Sequence, residues 1–296
     1  MRFAFFCLLL LLFFTRPAVA QVEKSWTTPV IPFQIADNLY YVGSQDLASY
    51  LVVTPKGHIL INANLTTSPP QIKKSVEKLG FRWKDIKILL NSQAHDDHMG
   101  GAAEIIRETR AKNMVMDGDA SVVESGARTD FLYPSPNVPG YPPSHVDRVL
   151  HDGNTVSLGG ITLTAHRTAG HTRGCTTWTM RSHIPGEPTG MIRNIVIVGG
   201  TGFWSEYHFV ATPGHPVSYP GIVQDFQHTF AELRTLPCDI FLGAHGGYFD
   251  LLKKLQLYSK DGPPVFIDPD GYKQFVAKSQ ENFTKELNKQ RTAAAH

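Results

Sequence analysis

Four side chains with metal-binding atoms fall within six consecutive residues of the 296-residue chain. Gln93, His95, Asp97 and His98 supply an amide oxygen, two imidazoles and a carboxylate, and two glycines follow shortly after them. Zinc accepts imidazole nitrogen and carboxylate oxygen, and a catalytic zinc site keeps one position open for water. This crowding of ligand-type residues indicates a metal-binding motif. The alternative is a polar loop that carries two surface histidines.

Two distant histidines stand in similar contexts. His171 directly follows Gly170, and His245 is followed by two glycines. Each comes after a predicted strand. Strand ends on one rim of an α/β fold, beside glycines that permit close approach, are where sites assemble. We therefore predict that both histidines join the motif, whereas the other histidines of the mature chain are predicted to be surface or core residues.

The apolar pattern predicts the elements that position these residues. Short apolar runs predict strands at 39–42, 50–53, 58–61, 86–90, 114–116, 155–158, 161–164, 175–180, 195–198 and 239–242. Apolar residues at helical spacing predict helices at 68–80, 101–111, 222–236 and 272–290. The motif comes directly after the predicted strand at 86–90. The predicted elements fall into two similar halves, each with strands first and then strands alternating with helices. This order predicts an α/β chain with two packed sheets between helical layers.

Residues 131–147 contain five prolines. Proline lacks a backbone donor and interrupts regular elements, so this stretch predicts a loop or flap. We expect it to cover the site.

Composition excludes several classes of protein. With 42% hydrophobic and 18% charged residues, the chain has enough apolar material for a large core, which excludes a disordered chain and a small disulfide scaffold. Lys and Arg total 28 against 26 Asp and Glu, and the first twenty residues hold two of the basic residues and no acid. The rest of the chain is therefore balanced, which argues against a nucleic-acid partner or an anionic membrane partner.

The first twenty residues have the pattern of an export signal. Arg2 precedes an apolar run at 3–14, and a small-x-small pattern ends at Ala20. A helix of twelve residues spans only ~18 Å, short of the ~30 Å hydrocarbon core, so a membrane anchor is the weaker alternative. We expect cleavage after Ala20, a single domain over residues 21–296 and export to the periplasm.

Several motifs resemble those of the metallo-β-lactamase superfamily. They are Gln93-x-His95-x-Asp97-His98, Gly170-His171-Thr172-x-Gly174 and the late His245. The finer resemblance is to class B β-lactamases of the third subclass, and it extends from about residue 33 to the closing helix. Supporting stretches are residues 39–43, 46–50, 170–178 and 238–245. The resemblance implies an αββα sandwich and an exported zinc enzyme that opens the β-lactam ring of antibiotics.

The resemblance also implies roles for individual residues. One zinc ion would be held by Gln93, His95 and His171, and a second by Asp97, His98 and His245. A metal-bound hydroxide would attack the lactam carbonyl, with Asp97 as both ligand and orienting group. We accordingly expect one or two Zn²⁺ per chain, a small-molecule β-lactam substrate and a monomer.

Three departures from the family pattern bear on this interpretation. Most relatives carry histidine at the position of Gln93, and a neutral amide oxygen is a weaker zinc donor, so metal loading of the first site should differ. No carboxylate stands at 198–202, where lactonase-like relatives carry a bridging aspartate. The serines that the subclass often has at Gly200 and Gly202 are also missing. Residues predicted to contact substrate instead, from their positions alone, are Thr201, Trp204, Ser205 and Tyr248.

The third departure concerns cysteines. Cys238 matches a family cysteine that pairs with one near the closing helix, but Tyr272 stands at the expected partner position. We expect Cys238 to be free unless it pairs with Cys175. Two alternatives for function remain open: a hydrolase of another cyclic ester or amide such as a lactone, and a zinc-binding protein with little turnover.

Overall fold

The computed structural model describes residues 23–132 and 140–295, and the following statements concern those residues. The predicted signal segment 1–20 and part of the proline-rich stretch lie outside them. The strands are β1 (Phe33–Ala36), β2 (Leu39–Tyr41), β3 (Tyr50–Thr54), β4 (Gly57–Ile61), β5 (Ile86–Leu90), β6 (Lys112–Met116), β7 (Arg148–Leu150), β8 (Thr155–Leu158), β9 (Ile161–Arg167), β10 (Thr176–Ser182), β11 (Arg193–Val198) and β12 (Ile240–Gly243). The helices are α1 (Lys24–Thr27), α2 (Pro69–Lys78), α3 (Asp96–Met99), α4 (Ala102–Thr109), α5 (Ala120–Ser125), α6 (Ile222–Thr235), α7 (Leu251–Asp261) and α8 (Pro269–Ala294).

The strands form two mixed sheets. The first has seven strands in the order β1 to β7, antiparallel as far as β4 and parallel from β4 to β7. The second has five strands in the order β12-β11-β10-β9-β8, in which only β11 and β12 are parallel. Helices flank both sheets, so the predicted αββα sandwich is confirmed.

Alternation along the strands divides the core into two clusters. Successive side chains of a strand point to opposite faces of its sheet. In β5, Ile88 and Leu90 belong to the cluster that also contains Trp178 and Ile197 of the second sheet. Leu89 between them belongs to the cluster that contains residues of α2 and α4. The first sheet is therefore covered by the second sheet on one face and by helices on the other.

Two long helices cover the second sheet. Phe226 of α6 stacks on Phe283 of α8 with ring centroids 4.9 Å apart. Tyr272 of α8 donates from its hydroxyl to the carbonyl oxygen of Leu233 in α6 at 2.6 Å. Helix α8 begins at Pro269, earlier than the apolar spacing predicted, because the side chain of Asp268 accepts a hydrogen bond from the N–H of Gly271 and caps the first turn.

Most predicted elements are present, but the short and polar ones were missed. Strands β1 and β7 and helix α5 are six residues long or less, too short to show a period. Helix α7 buries only Leu251 and Lys254, so its sequence carries little apolar pattern. Cys175 and Cys238 are both free, as expected. None of the described helices is both long enough and apolar enough to cross a membrane.

Replacing Leu89 by alanine tests the helix-covered cluster. Leu89 is fully buried, so the substitution should lower the free energy of unfolding by about 2–5 kcal/mol through lost burial and a residual cavity. Lys87→Ala, at the exposed position of the same strand, is the control and should change it by about 0.5 kcal/mol or less. Urea denaturation of both variants measures the difference, and equal midpoints would contradict this packing.

Candidate metal centre

Contacts between the two sheets fix the loop that carries the motif. Strand β5 ends at Leu90, and the loop then runs to His95, which precedes the short helix α3. The indole N–H of Trp178 donates to the carbonyl oxygen of Asn91 at 2.8 Å. The backbone N–H of Thr176 donates to the carbonyl oxygen of Ser92 at 2.7 Å. Both donors lie in β10, so the second sheet holds the loop that leaves the first.

Asp97, His98 and His245 form one compact group of potential ligands. Oδ2 of Asp97 lies 3.2 Å from Nε2 of His98 and 3.4 Å from Nε2 of His245, and the two Nε2 atoms are 3.2 Å apart. Donors bound at about 2.0–2.2 Å to a tetrahedral zinc ion lie about 3.3–3.6 Å from one another. The three atoms therefore fit one face of such a coordination tetrahedron.

Asp46 orients His245 in this group. His245 follows β12, and its Nδ1 lies 2.9 Å from Oδ2 of Asp46. The same carboxylate accepts hydrogen bonds from the backbone N–H of Gly247 at 2.9 Å and from the indole N–H of Trp26 at 3.1 Å. Since a carboxylate only accepts, Nδ1 of His245 is the donor, and Nε2 is the nitrogen that would bind a metal ion once it loses its proton.

The other predicted ligands are His95, His171 and Gln93. The imidazole rings of His95 and His171 are in edge contact, with centroids 4.9 Å apart. Nδ1 of His171 lies 2.8 Å from the carbonyl oxygen of Gly202, which makes Nδ1 the donor and leaves Nε2 available. Gln93 is buried, and its Oε1 accepts a hydrogen bond from the backbone N–H of His95 at 2.8 Å.

The titration properties of these side chains suit a cation. Burial lowers the pKa of His95 to about 4 and that of His171 to about 3, so both are neutral donors at neutral pH. Burial also opposes the charge on Asp97, but His98 and His245 outweigh it and hold the pKa of Asp97 well below its usual value. Burial disfavours the charged form of His245, yet Asp46 and Asp97 raise its pKa to about 9. A metal ion would replace that proton between the two carboxylates.

Asp119, in the loop after β6, is hydrogen-bonded to the loop after β9 that carries His171. This residue was not predicted from the sequence. Its buried carboxylate accepts hydrogen bonds from the hydroxyl of Thr172 at 2.7 Å and the backbone N–H of Gly174 at 2.8 Å. Burial raises the pKa of Asp119 to about 7 against these two donors. Asp46 was also missed as a functional residue. Neither aspartate stands at a ligand spacing. Asp119 follows Gly118 after β6, and Asp46 opens the stretch 46–50 that supports the family resemblance, but neither pattern predicts the contacts that these carboxylates make.

A cleft of about 500 Å³ opens onto the centre. Its described lining residues are Trp26, His95, Asp96, Asp97, Ala127, Asp130, Gly140, Tyr141 and Trp204. Trp204, about half exposed, lies against the rings of His95 and His171, with centroids 5.9 and 5.1 Å away.

The other predicted substrate contacts are not among these lining residues. The hydroxyl of Thr201 donates to Ser279 of α8, and that of Ser205 donates to Glu206. The ring of Tyr248 packs between His245 and Phe275. Their roles in binding substrate stay predictions.

Known proteins resemble this chain in sequence and in fold. The sequence-family model described as "Metallo-beta-lactamase superfamily" matches residues 47–245 of this chain. The FEZ-1 metallo-beta-lactamase from Legionella gormanii is 48% identical, with a TM-score of 0.83 over 90% of this chain and 98% of that one. The subclass B3 enzyme BJP-1 of Bradyrhizobium japonicum is 35% identical, with a TM-score of 0.82 over 91% and 98%. The class B3 di-zinc enzyme LRA-12 from an Alaskan soil metagenome is 34% identical, with a TM-score of 0.80 over 90% and 98%.

This chain therefore belongs to the metallo-beta-lactamase superfamily. Within it the chain groups with the subclass B3 enzymes, as the resemblance of its motifs implied. Together with the group formed by Asp97, His98 and His245, these matches support a zinc hydrolase.

Two glycines behind His171 give a matched test of the centre. A Cβ at Gly200 would lie 2.9 Å from Cδ2 of His171, whereas a Cβ at Gly202 meets nothing within 4 Å. Gly200→Ser should therefore displace His171 and weaken zinc binding by about 10-fold or more, and Gly202→Ser should leave it unchanged. Calorimetric zinc titration compares the two variants, and equal affinities would show that His171 tolerates the added atoms.

Proposed function

We propose that this chain is an exported, zinc-dependent hydrolase that opens the β-lactam ring. One observation supports this most directly. Asp97, His98 and His245 form one compact group, the rings of His95 and His171 are in contact, and His95 and Asp97 both line the same cleft. The relatives with this fold are named metallo-beta-lactamases, and one of them is named a di-zinc enzyme.

The predicted ligands would hold two neighbouring zinc ions. Asp97, His98 and His245 would hold one ion, and His95, His171 and Gln93 would hold the other. Bound zinc supplies a Lewis acid and lowers the pKa of water towards neutrality. Because Oε1 of Gln93 already accepts a hydrogen bond from the N–H of His95, it would offer the ion only its second lone pair.

The chain's own groups then direct the hydrolysis. Asp97 lines the cleft, and its charged carboxylate would orient the attacking water and accept a proton from it. The water oxygen bonds to the lactam carbonyl carbon, the carbon–nitrogen bond breaks, and the released nitrogen takes up the proton. Trp204 would form an apolar wall beside the reacting carbonyl.

The backbone around Gly200 favours a lactam over a lactone as substrate. Residues 198–202 contain no carboxylate, and a Cβ at Gly200 would lie 2.9 Å from Cδ2 of His171, so a side chain there would require His171 to shift. This stretch therefore supplies no bridging carboxylate of the lactonase-like kind. The lactone hydrolase remains the competing hypothesis for the assay.

Hydrolysis of nitrocefin and imipenem by the purified protein tests the proposal. Turnover should be abolished by a chelator and restored by added zinc. Lactone turnover without lactam turnover would favour the competing hydrolase, and zinc binding without any turnover would favour a binding protein.

Replacing Asp97 by alanine tests its double role as ligand and orienting group. We expect kcat for nitrocefin to fall by roughly three orders of magnitude or more, as expected when a metal ligand and a general base are lost together. Asp117→Ala, an exposed carboxylate after β6, is the control and should retain wild-type turnover. Turnover of Asp97→Ala close to that of the control would remove Asp97 from the mechanism.

Replacing Gln93 by histidine tests the weak first site. Imidazole is a stronger zinc donor than a neutral amide, so the variant should bind more zinc per chain at a given free zinc concentration. Gln93→Ala supplies the opposite comparison and should bind less. Equilibrium dialysis with metal analysis measures both, and an unchanged stoichiometry would contradict the idea of altered loading.

A further inference from the structure

We propose that Asp46 and Trp26 are positioning residues of the metal centre, and that the N-terminal segment 23–28, here called the strap, completes it. The proposal rests on the metal centre proposed above but not on the identity of the substrate. Asp46 and Trp26 touch the ligand His245 and would act through it.

Asp46 gathers three donors onto one carboxylate. Oδ2 accepts from Nδ1 of His245 at 2.9 Å and from the indole N–H of Trp26 at 3.1 Å, and Oδ1 accepts from the backbone N–H of Gly247 at 2.9 Å. An acceptor on Nδ1 determines the histidine tautomer, and a charged acceptor also makes the opposite nitrogen a better metal donor. Asp46 therefore sets both the direction and the donor strength of Nε2 of His245.

The strap is attached to the site and not to the core. Its helix α1 has four residues and buries none of them. The backbone N–H of Gln45 donates to the carbonyl oxygen of Thr28 at 2.8 Å, and that of Asp46 donates to the carbonyl oxygen of Ser25 at 3.2 Å. A short helix without buried side chains has little stability of its own. The strap is therefore held in place by residues 45–46, the same segment whose Asp46 contacts His245.

Trp26 extends this arrangement into the cleft. Its ring centroid lies 6.1 Å from that of His245, and the residue lines the cleft together with Asp97 and Trp204. The indole N–H keeps Oδ2 of Asp46 in place while the ring forms a wall. His171 differs in this respect, since its Nδ1 partner is the backbone carbonyl of Gly202, which no side-chain substitution removes. His245 is thus the ligand whose orientation can be tested through its partner.

Asp46→Asn is the primary test because both carboxylate oxygens of Asp46 face donors. An amide oxygen directed at Gly247 would place the NH₂ group against the indole N–H of Trp26 and against His245, where it favours the wrong tautomer. The reverse orientation would place the NH₂ group against the N–H of Gly247. We expect Co²⁺ affinity of the second site to fall by about 10- to 100-fold and the visible Co²⁺ spectrum to change.

Trp26→Phe removes the N–H donor and keeps a ring. It should weaken Co²⁺ binding by roughly 2- to 10-fold, the value of one hydrogen bond. Trp83→Phe is the matched control, because the indole N–H of Trp83 also donates to a carboxylate, that of Glu108 at 2.8 Å, but far from the site. The control should leave Co²⁺ affinity and spectrum unchanged.

Wild-type Co²⁺ affinity and spectrum in a folded Asp46→Asn protein would overturn the proposal. If Asp46→Asn does not fold, the pair Trp26→Phe and Trp83→Phe decides, and equal Co²⁺ affinity in these two variants would overturn it. Absence of β-lactam turnover in a wild-type protein that binds Co²⁺ would count only against the proposed function, so the two failures are distinguishable.

Discussion

Hydrogen bonds between the two sheets at one edge are the constraint on which the site depends. Trp178 and Thr176 of β10 donate to the loop that carries the motif, and the N–H of Ala48 donates to the carbonyl oxygen of Ala244 just before His245. These backbone acceptors are buried, so losing a donor would leave an unpaired polar group at a cost of about 1–3 kcal/mol. The hydrogen bonds that pair these backbone groups at the edge of the sandwich therefore also hold the loops in which Nε2 of His98 lies 3.2 Å from Nε2 of His245.

This proximity has an electrostatic consequence. A buried carboxylate and several imidazoles at short range are unfavourable unless charges are compensated. Asp97 compensates by staying ionised and His245 by holding a proton, whereas His95 and His171 stay neutral. One divalent cation at Asp97, His98 and His245 would provide the same compensation without the proton. The fold thus specifies a cation site through the charge balance of its own side chains.

The sequence was sufficient for the sandwich, and it singled out Asp97, His98 and His245, which the structure brings together, but it did not indicate the residues that contact them. The apolar runs of β3 to β5 are nearly continuous, which is typical of strands covered on both faces, and four donors within six residues are recognisable without a structure. The contact between Asp46 and His245 joins residues 199 positions apart, and that between Asp119 and Thr172 joins residues 53 apart. Such pairs arise from strand order and loop packing, and no local pattern encodes them.

The two groups of ligands differ in how their orientation is fixed. His245 is oriented by the carboxylate of Asp46, whereas His171 is oriented by the carbonyl oxygen of Gly202 and by close packing on Gly200. A carboxylate strengthens its histidine as a donor, and a carbonyl oxygen does so less. Gln93, the third predicted ligand of the His171 group, is a neutral donor. Donor strength therefore concentrates at Asp97, His98 and His245, so this group should fill first and the other should respond most to the zinc supply.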